Sequence, residues 1–130
     1  MSIAYCCILI AALLPYVWVA FAKTAAPGYN NKNPRGWIAR QDSYRVRNAH
    51  AAHLNAFEAF APFAAAVLMA QLAGVSPALI SKLAIAFIVA RVLHGVLYLR
   101  AVALMRSLAW LAGMACVVAL MALAMVSIGG

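Results

Sequence analysis

Three polar side chains at helical spacing are the first candidates for chemistry in this sequence. Arg91, His94 and Tyr98 lie at positions i, i+3 and i+7 of an otherwise almost wholly apolar stretch, so a helix carries them on one face. A charge at the centre of a membrane costs about 3 kcal/mol, and such a residue normally faces a protein interior and has a partner. Only two acids exist in the chain, and Glu58, close to Asn55 in another apolar segment, is the one available to Arg91.

The composition predicts the elements that must position these side chains. Of the 130 residues, 68% are apolar and 9% charged, whereas a soluble domain is apolar over about half of its residues. Crossing hydrocarbon takes roughly 20 apolar residues. We therefore predict an all-α membrane protein with a single domain over residues 1–130 and four transmembrane helices, at about residues 2–22, 51–73, 77–99 and 107–128.

The distribution of charge predicts the orientation. The net charge is +8, and the basic residues concentrate in the loop at about residues 23–49 and after the third span. The positive-inside rule makes both connections cytoplasmic and both termini non-cytoplasmic, so the charge does not indicate nucleic acid as a partner. The alanine-rich sequence is typical of a bacterial protein, and we expect the inner membrane.

Two shorter segments have predictable features. Residues 37–47 suit an interfacial piece with Trp37 and Tyr44 at headgroup level, which either anchors the chain to anionic lipid or grips a ligand. Gly74 and the Ser76-Pro77 pair predict a tight turn, with Ser76 as N-cap of the third span and Pro77 at its first position.

The topology places the polar groups of two spans at one depth. Glu58 lies about seven residues into the second span and Arg91 about eight residues from the end of the third, each roughly 10 Å along its helix. Together with Asn55, His94 and Tyr98, these residues predict a funnel-shaped cavity that opens to the cytoplasm. An Arg91–Glu58 ion pair forms its bottom, and Arg106 lies at its edge. Such a funnel suits a hydrophilic anionic or zwitterionic ligand. The alternative is a polar cluster that only pins the two helices together.

The remaining histidines and the cysteines, which are residue types that can bind metal ions, do not form a metal site. His50 and His53 lack a third partner for zinc, and we interpret them as interfacial or packing residues. No C-x-x-C pair occurs among the cysteines, which we interpret as buried apolar residues; they are Cys6, Cys7 and Cys116. No metal site is predicted.

Two motifs on two helices resemble a known family. Residues 52–63, Ala-His-Leu-Asn-Ala-Phe-Glu-Ala-Phe-Ala-Pro-Phe, resemble the A-H-x-N-x-x-E-x-x-x-P-F signature of the MAPEG proteins, the membrane-associated proteins in eicosanoid and glutathione metabolism. Residues 91–99 resemble the R-x-x-H-x-x-x-Y-L segment of their microsomal glutathione transferase and prostaglandin E synthase branches. The resemblance covers essentially the whole chain, most strongly residues 45–107.

The resemblance implies a four-helix bundle that assembles as a homotrimer and holds glutathione between subunits near the cytoplasmic surface. Active members often carry arginine where this chain has Leu54 and Ala51, and Arg47, two turns upstream, is the candidate replacement. The Arg106-Ser107 pair resembles one that lies beside the thiol, where arginine can stabilise thiolate. The implied binding residues are Arg47, Asn55, Glu58, Arg91, His94, Tyr98 and Ser107, and the implied catalytic residues are Arg106 and Tyr98.

Three functions are open at this point. The first is a glutathione transferase or peroxidase, which takes glutathione as co-substrate and a small hydrophobic electrophile from membrane lipid. The second is a non-catalytic trimeric scaffold or accessory subunit whose polar cluster is structural or binds a lipid headgroup. The third, a transporter or proton relay built on Glu58, His94 and Tyr98, is disfavoured because four spans show no inverted repeat.

Overall fold

The computed structural model describes all 130 residues and is entirely helical. Five helices follow one another: α1 Ser2–Thr24, α2 Pro34–Ala39, α3 Tyr44–Leu72, α4 Pro77–Leu99 and α5 Ala103–Gly129. All except α2 are long and apolar enough to cross a membrane. The predicted all-helical, four-span membrane fold is thereby confirmed.

Two helices begin earlier than the predicted spans. α3 begins at Tyr44, about two turns before the predicted start at Ala51, and α5 begins at Ala103 rather than Ser107. Hydropathy marks only the part of a helix that suits hydrocarbon, while the backbone hydrogen bonds continue into polar sequence. Arg47 and Arg106 therefore lie on regular helices, and the predicted loop at 23–49 shortens to residues 25–43.

That connection contains α2, which ties the loop to the bundle. The Asn33 side chain accepts a hydrogen bond from the Gly36 amide at 3.1 Å, and Pro34 occupies the first helical position. Trp37 is buried against Ala22 and Val46. The indole is therefore covered by protein, because α1 and α3 offer it an apolar contact, and its level relative to the lipid headgroups stays a prediction.

The four long helices form an up-and-down bundle. α1 packs on α3 and α4, and α5 packs on α4 and α3. Near one end, the Tyr5 hydroxyl donates a hydrogen bond to Gln71 Oε1. The main core surrounds stacked rings of Phe63 and Phe87, whose centroids are 3.9 Å apart. Small residues around this stack, among them Ala4, Ala11, Ala66, Ala70 and Ala84, let the helices approach closely.

The two tight turns share one hydrogen-bonding pattern. After α3, the Val75 amide donates to the Ala70 carbonyl and Gly74 adopts a left-handed φ of +78°. Ser76 and Pro77 take their predicted places at the start of α4, although the Ser76 hydroxyl makes no capping hydrogen bond. After α4 the pattern recurs with Ala101 at a φ of +58°. This second turn sets where α5 starts and hence where Arg106 lies.

We call the end of the bundle that carries the 25–43 connection and the α4–α5 turn the basic end. Leu99, at the end of α4, packs against the small core formed by Ala22, Trp37, Val46 and Ala49. The two connections therefore lie beside each other, as the predicted topology requires.

Candidate functional site

A chain of hydrogen bonds links the buried Arg91 of α4 to α3 and ends at Glu58, which is exposed in the single chain. Arg91 is only 3% exposed, and its Nη2 donates to Asn55 Oδ1 at 2.7 Å. Asn55 Nδ2 in turn reaches Glu58 Oε2 at 3.5 Å, one turn along α3. We call these three residues the Arg91 relay.

The relay corrects one prediction. The two residues lie close to each other, but the structure forms no direct Arg91–Glu58 ion pair, because the Asn55 amide lies between them. An amide can do this since it accepts from the guanidinium through oxygen and donates to the carboxylate through nitrogen. The buried cation thus has a neutral partner, with the carboxylate next in line.

The sequence of α4 explains why Arg91 and His94 face the protein interior. Buried residues recur along one helical stripe that runs through Ile80, Ala84, Phe87, Arg91 and His94. Opposite Arg91, α5 carries Gly113, where an added Cβ would lie 3.5 Å from Arg91 Cδ. Close approach of α5 therefore encloses the aliphatic part of the Arg91 side chain.

His94 lies one turn beyond Arg91 on the buried face of α4. It is 3% exposed, and its ring packs edge-on against Tyr98 with centroids 5.4 Å apart. Its Nδ1 is buried and has no hydrogen-bond partner. The neighbouring Gly95 leaves space for the Trp18 indole of α1, which a Cβ at this position would overlap.

A cavity of about 240 Å³ opens beside these groups, and we call it the cluster cavity. Arg106 of α5 lies over the Tyr98 ring, with its guanidinium carbon 4.3 Å from the ring centroid, a cation–π arrangement. Both residues line the cavity. The full lining is Asn55, His94, Tyr98, Arg106, Ser107, Trp110 and Leu111. It contains no acid, so it favours an anionic ligand.

Most of the predicted site residues meet here. Five line the cluster cavity, namely Asn55, His94, Tyr98, Arg106 and Ser107, and Glu58 and Arg91 join through the relay. Arg47 does not lie with them in the same chain, because it lines a second cavity near α2. Its contact with a bound ligand stays a prediction.

Sequence reasoning missed Trp110. The indole lines the cluster cavity on α5. The signal was available, because Trp110 stands four residues after Arg106 and three after Ser107, and helical spacing puts all three on one face.

His53 has a packing role. Its Nδ1 lies 2.7 Å from the Pro15 carbonyl oxygen, and its ring packs edge-on against Phe57 at 5.0 Å. A carbonyl only accepts, so Nδ1 carries the proton in this contact. The structure has no group of three or more His, Cys, Asp or Glu residues that could hold a metal ion.

Residues 3–126, nearly the whole chain, match the model of the MAPEG family. The chain belongs to the MAPEG family. No curated protein and no solved structure matches it significantly. Family membership and the four spans together make this an integral membrane protein, and the family includes glutathione transferases and peroxidases.

Proposed function

We propose that this MAPEG protein is a glutathione-dependent transferase or peroxidase that acts on hydrophobic electrophiles from the bilayer. The observation that carries the proposal is the cluster cavity, a polar, acid-free space lined from three membrane-spanning helices and backed by a buried arginine. Polar donors at this depth favour an anionic hydrophilic ligand over a lipid tail.

The residues present fit glutathione. His94, Arg106, Ser107 and Tyr98 line the cavity and carry N–H or O–H groups that can donate to carboxylates and peptide carbonyls. Glu58 supplies the one carboxylate suited to the ligand's ammonium group. Glutathione supplies a nucleophilic thiol when it is bound. The Arg106 guanidinium, held over Tyr98, would favour the thiolate by its charge, as a cation beside a thiol does.

The size of the cavity favours a shared site. About 240 Å³ is below the roughly 300 Å³ at which small-molecule pockets begin. Three lining residues on α5, Ser107, Trp110 and Leu111, are exposed in the single chain. We therefore infer a homotrimer in which a neighbouring subunit closes the cavity, with an apolar groove between subunits that admits the electrophile from lipid.

The charge distribution supports an orientation. We infer that the basic end lies in the cytoplasm of a bacterial cell and that both termini lie across the inner membrane, since cationic loops are retained on the cytoplasmic side. The cluster cavity then lies toward the cytoplasm, where glutathione is available.

One alternative has its own support. The Arg91 relay joins α3 to α4 without any ligand, as a non-catalytic trimeric scaffold or accessory subunit would require. Calorimetry with reduced glutathione separates the two functions. The enzyme gives saturable heat with an affinity that salt weakens, and the scaffold gives none.

Turnover of a generic electrophile such as 1-chloro-2,4-dinitrobenzene tests the catalytic role. Arg106→Gln should lower turnover by more than it weakens glutathione binding, because Arg106 acts on the reacting sulfur. Arg100→Gln is the matched control, since Arg100 lies in the adjoining turn and does not line the cavity. Equal losses in turnover and binding, or no loss, would contradict this role.

A further inference from the structure

A second and larger cavity lies at the basic end, and it shares no lining residue with the cluster cavity. Its volume is about 800 Å³, and it lies between the end of α1, the α2 segment and the start of α3. We call it the basic cavity. It is lined by Val19, Lys23, Pro34, Arg35, Ile38, Ala39, Gln41, Arg47, His50, Ala51, His53 and Leu54.

The basic cavity collects positive charge without an internal counter-charge. Lys23, Arg35 and Arg47 line it from three different helices or their ends, and neither acid of the chain, Asp42 or Glu58, is among its lining residues. None of the three cations forms an ion pair, and Lys23 has only the Tyr29 ring at 5.3 Å. Three cations converging on one concave space attract an anion.

One residue that lines the basic cavity, His50, also has an unpaired polar atom. The Nδ1 atom of His50 is buried without a hydrogen-bond partner. Buried polar atoms in native proteins are almost always satisfied by protein, water or ligand. His53 differs, because its Nδ1 is already used by the Pro15 carbonyl.

Polarity changes along the cavity in the direction of the membrane. On α1, Val19 lies one turn deeper than Lys23, and on α3 Leu54 lies two turns deeper than Arg47. Seven residues of helix span about 10 Å, which reaches from the headgroup region, about 5 to 8 Å thick in each leaflet, into hydrocarbon. Leu54 is 48% exposed at the deeper end.

The change from cationic to apolar lining residues indicates which kind of molecule fits the basic cavity. A small soluble anion would use the three cations but leave the apolar wall formed by Val19, Leu54 and Ile38 unmatched. A neutral lipid would match the wall and leave the cations unpaired. A molecule with an anionic phosphate at one end and an acyl chain at the other matches both.

We infer that the basic cavity binds the headgroup of an anionic phospholipid. Lys23, Arg35 and Arg47 surround the phosphate, and the first methylenes of an acyl chain lie along Val19 and Leu54. The bound lipid holds α2 against α1 and α3 and fixes the chain at one depth in the membrane. No lining residue of the basic cavity lines the cluster cavity, and Arg47 is the one residue that the family resemblance also implies for glutathione; the lipid site does not depend on glutathione binding.

The test is native mass spectrometry of the full chain in detergent, with phosphatidylglycerol and phosphatidylcholine of identical acyl chains as probes. We expect phosphatidylglycerol to be retained in preference to phosphatidylcholine. Arg47→Gln should weaken phosphatidylglycerol binding about tenfold, because it removes one charge-assisted hydrogen bond to the phosphate.

Arg45→Gln is the matched control. Arg45 is exposed in the first turns of α3, as Arg47 is, but it does not line the basic cavity. The control should change binding by less than about twofold in buffer of physiological ionic strength, because Arg45 makes no direct contact with the phosphate and salt screens its charge. Arg35→Gln, on α2, gives an independent second variant should Arg47→Gln fail to fold.

Three results would overturn the inference. Equal losses from Arg45→Gln and Arg47→Gln would mean that general surface charge attracts the lipid. Binding of soluble glycerol phosphate as tight as that of phosphatidylglycerol would mean that the acyl chain is not recognised. Displacement of phosphatidylglycerol by glutathione would assign the basic cavity to the glutathione site.

A protein that binds no glutathione at all would contradict the proposed function but not the lipid site, so the two proposals fail on different results.

Discussion

The Arg91 relay predicts a measurable coupling between two residues on different helices. Asn55 Oδ1 is the only hydrogen-bond acceptor of the Arg91 side chain, at 2.7 Å, and Arg91 is almost fully buried. A hydrogen bond to a charged group contributes about 1.5 to 3 kcal/mol. Asn55→Leu should therefore lower the free energy of unfolding by about that amount, because it leaves the buried guanidinium without its partner.

Asn55→Leu should lower the free energy of unfolding only slightly once the charge of Arg91 has been removed. In an Arg91→Met background there is no buried cation to satisfy, and a well-packed apolar replacement of a buried charge is often neutral or stabilising. A double-mutant cycle of Asn55→Leu and Arg91→Met should give a coupling energy of about 1.5 to 3 kcal/mol. Unfolding in mixed micelles, followed by circular dichroism, supplies the four free energies.

The control for this cycle is Asn48→Leu, on the same helix and without a side-chain hydrogen bond in the structure. Its coupling with Arg91→Met should stay within about 0.5 kcal/mol, the usual limit for independent sites. A coupling of that small size for Asn55 itself would refute the relay and with it the role of Asn55 as the link between α3 and α4.

The helix contacts give further predictions, all measured in the same unfolding assay. Gly95→Ala should destabilise the protein by about 1 to 3 kcal/mol, because the new Cβ overlaps the rigid Trp18 indole. Gly113→Ala should be neutral or stabilising by up to about 1 kcal/mol, since its Cβ meets only ordinary contacts; an equal loss at both glycines would contradict these packing distances. Ala101→Gly should stabilise by about 0.5 to 1 kcal/mol, because φ is +58° there; a loss would mean that the turn is not left-handed.

Hydropathy was sufficient to predict the four spans but not their ends. The apolar run of the second span starts near Ala51, while α3 starts at Tyr44, because a helix that leaves the hydrocarbon keeps its backbone hydrogen bonds. The capped α2 was also missed. Its sequence contains the Asn33-Pro34 start signal, but six residues are too few to show periodicity.

For the site residues, the sequence predicted how deep each one lies along its helix but not how each helix is rotated about its axis. Counting residues placed Glu58 and Arg91 at one level, and the structure brings them close together. Whether they touch depends on side-chain reach and on the rotation of each helix about its axis, which spacing alone does not determine. Arg47, the candidate replacement for the arginines absent at Leu54 and Ala51, lines the basic cavity, and its contact with glutathione stays a prediction.

The most direct test of the proposed function is an experimental structure of the full assembly soaked with reduced glutathione. We predict density for the tripeptide in the cluster cavity, against Asn55, Tyr98 and Arg106, with its sulfur nearest the Arg106 guanidinium. Glutathione density confined to the basic cavity, or a cluster cavity filled by apolar side chains of a neighbouring subunit, would contradict it.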